Sequence, residues 1–307
     1  MEPGRQRGAV TVGSIGSPRS ITARELIRIL ASTAGIGLIL LVLAHCSTPR
    51  KGSIESTTGV FRIVANDDHF DAPSSVVAGM THVVFENRGT TIHEAMFIKL
   101  PDGMSGEDYL AIVRSGSSFP EGALDYSGPG LTSPGGIVEA WLHLDPGTYI
   151  LACWFKGHLE SAPAQILSVL DGEPSGVIPP KEDAILRLRD FRFELDGELR
   201  SGPQVVRVET IGPSMHEVDI FRLHEGHTLG DLKTWQKTGK AGPSPAEAIG
   251  GVLDSHDIDR TVWLKTFFRP GRHVLWCNMD ILPDAPDSAG GISHGEAGMF
   301  MEIMIDD

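Results

Sequence analysis

The sequence predicts an all-β protein: two tandem Greek-key β-sandwiches, each with one short inserted helix, after an N-terminal signal or anchor helix. The 307-residue chain contains 36 glycines and 20 prolines, which favours many turns and short strands over long helices. Hydrophobic residues make up 41% of the chain, enough for packed cores. The chain also repeats itself at an interval the size of a small domain.

The repeat is clearest around two histidines. FENRGTTIHEAMFIKL (85–100) aligns without a gap to VETIGPSMHEVDIFRL (208–223), an offset of 123 residues. Downstream, PGTYILAC (146–153) matches PGRHVLWC (270–277) at an offset of 124. A repeat that keeps its spacing over this length indicates two copies of one domain.

The repeat divides the exported part into two domains and a linker. We expect a first domain over 55–170 and a second over 183–307. The stretch between them, DGEPSGVIPPKE (171–182), is rich in proline and glycine, a composition typical of linkers.

Each unit is composed mainly of strand-like segments. THVVFEN and PQVVRVE are β-branched runs introduced by glycine, and similar runs follow each histidine. One helix-like segment interrupts each unit: SGEDYLAIVRS (105–115) and TLGDLKTWQK (228–237). Ser105 and Thr228 are the expected N-caps.

The N-terminus has the pattern of an export segment. Residues 1–28 are rich in arginine, and ILASTAGIGLILLVLA (29–44) carries no charge. A basic stretch followed by an apolar one is typical of signal peptides. The apolar run is slightly shorter than the ~20 residues of a comfortable membrane-spanning helix. We therefore assign residues 1–51 to a signal or membrane-anchor segment with a linker.

The apolar run ends in LAHC (43–46), which resembles a bacterial lipobox. In that motif the cysteine, here Cys46, is lipidated and becomes the mature N-terminus. His45 stands where the pattern wants a small residue. Lipidation, an uncleaved signal anchor and simple secretion all remain open, and each sends the rest of the chain out of the cytoplasm.

The charge distribution limits the partners. The net charge is −14, and the acidic residues are concentrated beyond residue 51. Such a surface repels phosphate backbones, so we expect no nucleic-acid partner. It suits a cationic partner protein, or solubility alone.

The second unit places four side chains in a recognisable order: His216, Cys277, His294 and Met299. This order resembles the cupredoxins, the β-sandwich proteins that bind blue copper. In that family one histidine follows an early strand, a cysteine ends the penultimate strand, and a histidine and a methionine precede the last strand. The resemblance implies one type 1-like copper ion held by these four residues, and a redox partner protein.

The residue types suit copper chemistry. Two imidazoles and a thiolate in a plane, with a weak thioether along the axis, form the ligand set of blue-copper electron-transfer sites. Sixteen residues separate Cys277 from His294, more than the two to four that are usual in the family. Because the cost of loop closure grows slowly with length, an acidic excursion can return His294 to the site.

The first unit matches less completely. His93, Cys153 and His158 correspond to ligands, but Pro163 stands where the second unit has Met299. We expect this unit to be kept for structure, with a second copper ion as the alternative.

Several functions stay open at this point. The chain is expected to be an exported, membrane-tethered electron carrier. A metal-free interaction module is one alternative. Copper storage or delivery by Met299, Met301 and Met304 is another. The chain has no His-x-His pair of the kind that builds a trinuclear copper centre, so we expect it not to be an enzyme.

The histidine-glutamate pairs exclude one further class. His93-Glu94 and His216-Glu217 begin like the zinc protease motif, but neither continues with its second histidine. We expect both glutamates to point outward or to orient a neighbour.

Overall fold

The computed structural model describes residues 59–115, 120–155, 158, 164–256, 260–280 and 292–307. The first half of the chain contains these strands: β1 (Val60–Ala65), β2 (Phe70–Asp71), β3 (Ser75–Val77), β4 (Gly79–Asn87), β5 (Met96–Lys99), β6 (Leu124–Asp125), β7 (Ile137–Leu144), β8 (Gly147–Ala152) and β9 (Ala164–Leu170). The second half contains these: β10 (Ala184–Arg189), β11 (Arg192–Gly197), β12 (Gly202–Thr210), β13 (Val218–Leu223), β14 (Ala246–Val252), β15 (Thr261–Phe268), β16 (Gly271–Trp276) and β17 (Phe300–Ile305).

The structure describes one inserted helix from end to end in each half, at the positions that the sequence predicts. Helix α1 spans Gly106–Arg114, and the Ser105 side chain accepts a hydrogen bond from the amide of Asp108 at its N-terminus. Helix α2 spans Leu229–Lys237 and begins with a capping box, in which Thr228 and Asp231 each bond the other's backbone amide. The caps satisfy amides that have no partner within the helix.

The strands form three sheets. An eight-stranded sheet runs in the order β11-β10-β12-β15-β7-β4-β1-β2 and takes four strands from each half. A five-stranded sheet, β3-β9-β8-β5-β6, belongs to the first half, and a four-stranded sheet, β14-β13-β16-β17, belongs to the second. In each half the chain crosses from the large sheet to the small one between β4 and β5 or between β12 and β13.

The core lies between the large sheet and each small sheet. Phe61 on β1 packs against Phe97 on β5 with ring centroids 5.9 Å apart. Alternate residues of β4 and β7 face the same core, as the two-residue period of a strand requires. Each half is therefore a β-sandwich with one wall in the shared sheet.

The two halves are joined by β7 and β15. Ala140 lies opposite Leu264, and Trp141 lies opposite Trp263 in antiparallel register. Glu139 and Lys265 are paired in the same ladder, with their charged atoms 2.7 Å apart. At the repeat offset of 124, Ala140 corresponds to Leu264 itself. Exchange of the halves thus maps this ladder onto itself, which defines an internal pseudo-twofold axis.

A second contact obeys the same symmetry. Segment 126–132 runs antiparallel to segment 249–255, with bridges that join Tyr126 to Ser255 and Thr132 to Ile249. At an offset of 123 these two bridges are exchanged by the pseudo-twofold. Two symmetric contacts explain why all the described residues belong to one compact unit.

The sequence-based fold class is confirmed: the described chain is all-β with two tandem cupredoxin-like sandwiches. The domain boundaries at 170 and 183 stay a prediction, because the two halves share a sheet. Residues 1–51, with the expected anchor and Cys46, lie outside the described residues. Among the residues that are described, no helix is long and apolar enough to cross a membrane.

Within each half, the segment at the pseudo-twofold contact packs so closely against its neighbour that two equivalent glycines have no free space beside them. A Cβ at Gly128 would collide with the carbonyl oxygen of Ala95, and one at Gly251 with that of Val218. We expect Gly251→Ala to lower the free energy of unfolding by about 2 kcal/mol, the usual cost of overpacking, in urea denaturation. Gly230→Ala in α2 is the control, because a Cβ there meets only the Thr228 hydroxyl at 3.4 Å. A Gly251→Ala protein as stable as this control would contradict the close contact.

Candidate metal centres

The second half brings three predicted ligands together. His216 precedes β13, Cys277 follows β16, and His294 precedes β17. The Nδ1 atoms of His216 and His294 are 3.0 Å apart, and Cys277 Sγ is 3.6 Å from His294 Nδ1. The three ligand atoms all lie within 4.8 Å of one another. Two imidazole nitrogens and one sulfur therefore face a common point in the interior.

Met299 lies beside this triad. Its side chain is fully buried in the same core cluster as Cys277. Its backbone amide donates to the carbonyl of His294 at 2.8 Å, and its carbonyl accepts from the amide of Cys277 at 3.3 Å. The backbone thus ties Met299 to two members of the triad, while its thioether as a fourth ligand stays a prediction.

The long segment between Cys277 and His294 is closed at its base. The amide of His294 donates to the carbonyl of Met279 at 2.7 Å, and the amide of Gly295 donates to the carbonyl of Cys277 at 2.8 Å. Asp280 and Ser293 form a bridge one step further out. Residues 281–291 lie outside the described residues. These three contacts place His294 next to Cys277 whatever the length of the segment between them.

The first half assembles the same triad. Cys153 Sγ is 3.2 Å from His158 Nδ1, and the rings of His93 and His158 are centred 4.4 Å apart. Their ligand atoms lie within the same 4.8 Å limit as those of the second half. These three residues therefore lie as close together as their counterparts in the second half. Pro163, the counterpart of Met299, lies outside the described residues.

Each upstream histidine is oriented by an aspartate that the sequence analysis did not single out. His216 Nε2 donates to Asp190 Oδ1 at 2.9 Å, and His93 Nε2 lies 3.3 Å from Asp67 Oδ1. Asp67 and Asp190 are themselves separated by the repeat offset of 123, a signal that could have found them. Hydrogen bonds hold both carboxyl pKa values below the usual range. The main cause for Asp67 is the hydrogen bond from Thr90, which lowers its pKa to about 2, and the main cause for Asp190 is the hydrogen bond from His216.

The two aspartates determine which nitrogen can bind a metal. An ionised carboxylate only accepts hydrogen bonds, so Nε2 carries the proton and Nδ1 keeps its lone pair. His93 Nδ1 is buried and has no hydrogen-bond partner among the described residues. A buried polar atom without a partner is costly and calls for an explanation. A metal ion bound by the triad would supply the partner, so the residues fit a metal.

Burial also sets the protonation of the ligands. It is the largest cause of the lowered pKa values of all four triad histidines: His93, His158, His216 and His294. Burial likewise raises the pKa of both cysteine thiols. The imidazoles are therefore neutral donors at neutral pH, while each thiol must lose its proton when a metal binds.

The two glutamates point inward, contrary to one of the two expectations for them. Glu94 Oε1 accepts from the amide of Trp154 at 2.9 Å, and Glu217 Oε1 accepts from the amide of Asn278 at 3.1 Å. Trp154 and Asn278 directly follow the two cysteines. Each glutamate, which itself follows a triad histidine, therefore fixes the backbone next to the cysteine ligand.

The two sites differ at the surface. Phe191 stands over the second site, with its ring in an edge-on contact with His294 at 5.1 Å. It has a φ of 58°, a conformation that bulky side chains rarely adopt. The corresponding residue of the first half is Asp68, whose side chain is 83% exposed. The second site is thus covered by an aromatic ring, whereas an exposed carboxylate takes that position in the first.

No known protein-family profile matches the chain, and no curated protein matches it. Solved structures with a similar arrangement include auracyanin A, a "blue" copper protein from Chloroflexus aurantiacus. It is 17% identical, and the match covers 36% of this chain and 98% of that one with a TM-score of 0.27. A multicopper oxidase is 12% identical over 80% of this chain and 88% of its own, with a TM-score of 0.23.

A copper nitrite reductase from Nitrosomonas europaea is 12% identical over 81% of this chain and 93% of its own, with a TM-score of 0.22. Matches this weak assign no activity to this chain, and the fold assignment rests on the sheets and triads described above. They do correct one expectation. The exclusion of an enzyme is wrong, because an oxidase and a reductase are among the structures that the chain resembles.

Burial of Glu94 makes stability depend on pH. Desolvation raises the pKa of this carboxyl from 4.5 to about 7, so the folded chain holds a proton that the unfolded chain releases. The resulting stability is present below pH 4.5 and is lost as pH rises through 7. In the metal-free wild type we expect the free energy of unfolding to fall by an amount on the order of 3 kcal/mol for this reason as pH rises. Glu94→Gln should not show this fall, and denaturant unfolding from pH 4 to 8 measures it.

Glu107→Gln in α1 is the matched control, because Glu107 is exposed and its carboxylate meets water in both states. Parallel pH profiles for wild type and Glu94→Gln would show that Glu94 does not carry the dependence.

Proposed function

We propose that this chain is an exported, membrane-tethered copper-binding protein that transfers electrons, and that each half holds one copper ion. The observation that carries the proposal is the repeated triad of two histidines and one cysteine, whose ligand atoms lie close together in both halves, with all six residues buried except the half-buried His158. The sequence predicts copper in the second half and leaves a second ion in the first half as the alternative. The close geometry of His93, Cys153 and His158 supports extending it to the first.

The donor set selects among metals. Two imidazoles and a thiolate suit copper, which in such sites cycles between two oxidation states by one electron. Calcium and magnesium prefer oxygen ligands, and none of the triad atoms is an oxygen. The sites are also held within a core of packed strands, so their ligands can keep one geometry in both oxidation states.

The surrounding residues have separate tasks. Asp67 and Asp190 hold the upstream imidazoles with Nδ1 toward the site. Glu94 and Glu217 fix the backbone after each cysteine. Phe191 packs edge-on against His294 beside the second site. Partners of this kind typically change metal affinity without binding the metal themselves.

The cellular setting follows from the sequence. The basic and then apolar N-terminus supports export with retention at the membrane, through Cys46 or an uncleaved helix. The acidic composition of the remainder supports a cationic redox partner that is attracted by charge. Copper storage by methionines has less support, since Met304 is 59% exposed while Met299 is fully buried.

Copper-loaded protein tests the proposal most simply. We expect two copper ions per chain and an intense visible absorption, because charge moves from cysteine sulfur to Cu(II). A reductant should bleach the band, and reoxidation should restore it without loss of metal. Cys277→Ser and Cys153→Ser should each remove one ion and one part of the absorption. Wild-type protein that stays colourless with copper would contradict the proposal.

The aspartates provide a second test. We expect Asp190→Ala to weaken copper binding at the second site about 10- to 100-fold, because the His216 ring loses the partner of Nε2. Competition with a coloured chelator measures this in the Cys153→Ser background, where only the second site remains. Asp196→Ala is the control, since it removes an exposed carboxylate of the β10–β11 hairpin. Equal weakening by both variants would indicate a general effect of charge.

A further inference from the structure

One buried carboxylate connects the two candidate metal centres. Asp219 on β13 is 1% exposed, and its two oxygens bind groups in different halves of the chain. Oδ1 accepts from the amide of Leu131 in the first half at 2.8 Å. Oδ2 accepts from the side-chain amide of Asn278 in the second half at 2.7 Å. The carboxylate therefore bridges the pseudo-twofold interface.

Both ends of this bridge reach a ligand. Asn278 directly follows Cys277. Leu131 directly precedes Thr132, whose amide donates to the carbonyl of His93 at 2.8 Å and whose carbonyl accepts from the amide of His93 at 3.1 Å. Covalent bonds and hydrogen bonds thus run without a break from Cys277 to His93.

The backbone around Asp219 is shaped to receive the carboxylate. A Cβ at Gly130 would lie 2.7 Å from its Oδ1, and one at Gly251 would lie 2.9 Å from the same atom. Any side chain at these positions would displace the carboxylate or the strand. The two glycines come from different halves, so the pocket for Asp219 exists only where the halves meet.

The bridge is not repeated by the symmetry. At the repeat offset of 123, the counterpart of Asp219 is Met96, and at 124 the counterpart of Asn278 is Trp154. Neither can provide the same pair of hydrogen bonds. In the described part of the chain there is therefore one polar connection of this kind where the repeat would allow two, which separates it from the features that both sandwiches share.

We propose that Asp219 is a positioning residue that couples the two metal centres, so that copper at the second site strengthens copper binding at the first. When the second site fills, Cys277 and Asn278 are fixed, and Asp219 then holds Leu131 and Thr132 in the place that orders His93. A site that is already ordered pays less of the ordering cost when its metal binds. This inference rests on the proposed function, because it needs copper at both sites.

The experiment measures the copper affinity of the first site in two proteins. In wild type the second site is filled with copper, and in Cys277→Ser the second site is removed. Chelator competition gives the affinity, and the visible band that Cys153→Ser removes identifies the site. We expect binding at least about fivefold tighter in wild type, within the usual range of coupling between sites. Linkage makes the effect mutual, so the second site should show the same ratio against Cys153→Ser.

Variants of Asp219 assign the effect. Asp219→Met, which introduces the residue of the first half, should reduce the ratio to within twofold of one. Asp219→Asn should keep it, since the amide can accept from Leu131 and pair with a rotated Asn278 side chain. Asp254→Asn is the control, because Asp254 is buried in the same region but bonds Asp125. If Asp219→Met does not fold, Asn278→Ala breaks the same connection, because it removes the hydrogen bond from Asn278 to Asp219. It should reduce the ratio in the same way.

The outcomes separate the two proposals. If both sites bind copper and the wild-type ratio is one, or if the ratio survives in Asp219→Met and Asn278→Ala, the coupling is overturned and the proposed function stands. If neither site binds copper, the proposed function falls and the coupling falls with it.

Discussion

The hydrogen bond between a buried imidazole and an aspartate at the surface is the interaction on which the candidate sites depend. Without Asp190, the His216 ring could turn, and either nitrogen could face the interior. With it, Nε2 is occupied and Nδ1 faces Cys277 and His294. The same bond recurs between His93 and Asp67. Burial then keeps the imidazoles neutral, so each site presents lone pairs where the thiol lies.

The shared sheet gives these sites a common frame. Because β7 and β15 join the sandwiches across the pseudo-twofold axis, neither half can move without disturbing the other. The same interface buries several carboxyl groups: Glu94, Glu217, Asp219 and Asp254. Burying carboxyl groups is costly, and three of these groups accept compensating hydrogen bonds. Glu94 and Glu217 accept from backbone amides next to the triad cysteines, and Asp219 accepts from the side-chain amide of Asn278. Polar groups at this interface therefore connect the segments that carry the two candidate metal centres.

Much of the fold and of the sites could be predicted from the sequence because the signals are local or repeated. The helices were found from their caps, Ser105 and Thr228. The triads could be predicted because cysteine is rare in the chain and because Cys153 and Cys277 each follow a Pro-Gly turn and a strand. The importance of Asp67 and Asp190 was missed because aspartate in a turn usually needs no further explanation. Their identical spacing was the available signal.

Other features depend on contacts between distant parts of the chain, which no local pattern encodes. The pairing of β7 with β15 is set by how the two sandwiches pack. The alternation of apolar and polar residues along these two strands indicates only one buried face and one exposed face. Asp219 reads in EVDIF as an ordinary strand residue, yet it is buried at the interface. The first half was expected to be degenerate because Pro163 replaces the methionine. The proline removes only the thioether, and His93, Cys153 and His158 still lie close together.

The central claim is that each triad binds copper through two imidazoles and one thiolate. X-ray absorption at the copper edge of protein loaded with two equivalents measures the atoms bound to the metal directly. The account predicts that the average copper has one sulfur and two imidazole nitrogens at short distance, and that this count is unchanged in Cys153→Ser and Cys277→Ser loaded with one equivalent. Copper surrounded by nitrogen and oxygen alone, without a short sulfur contact, would contradict it.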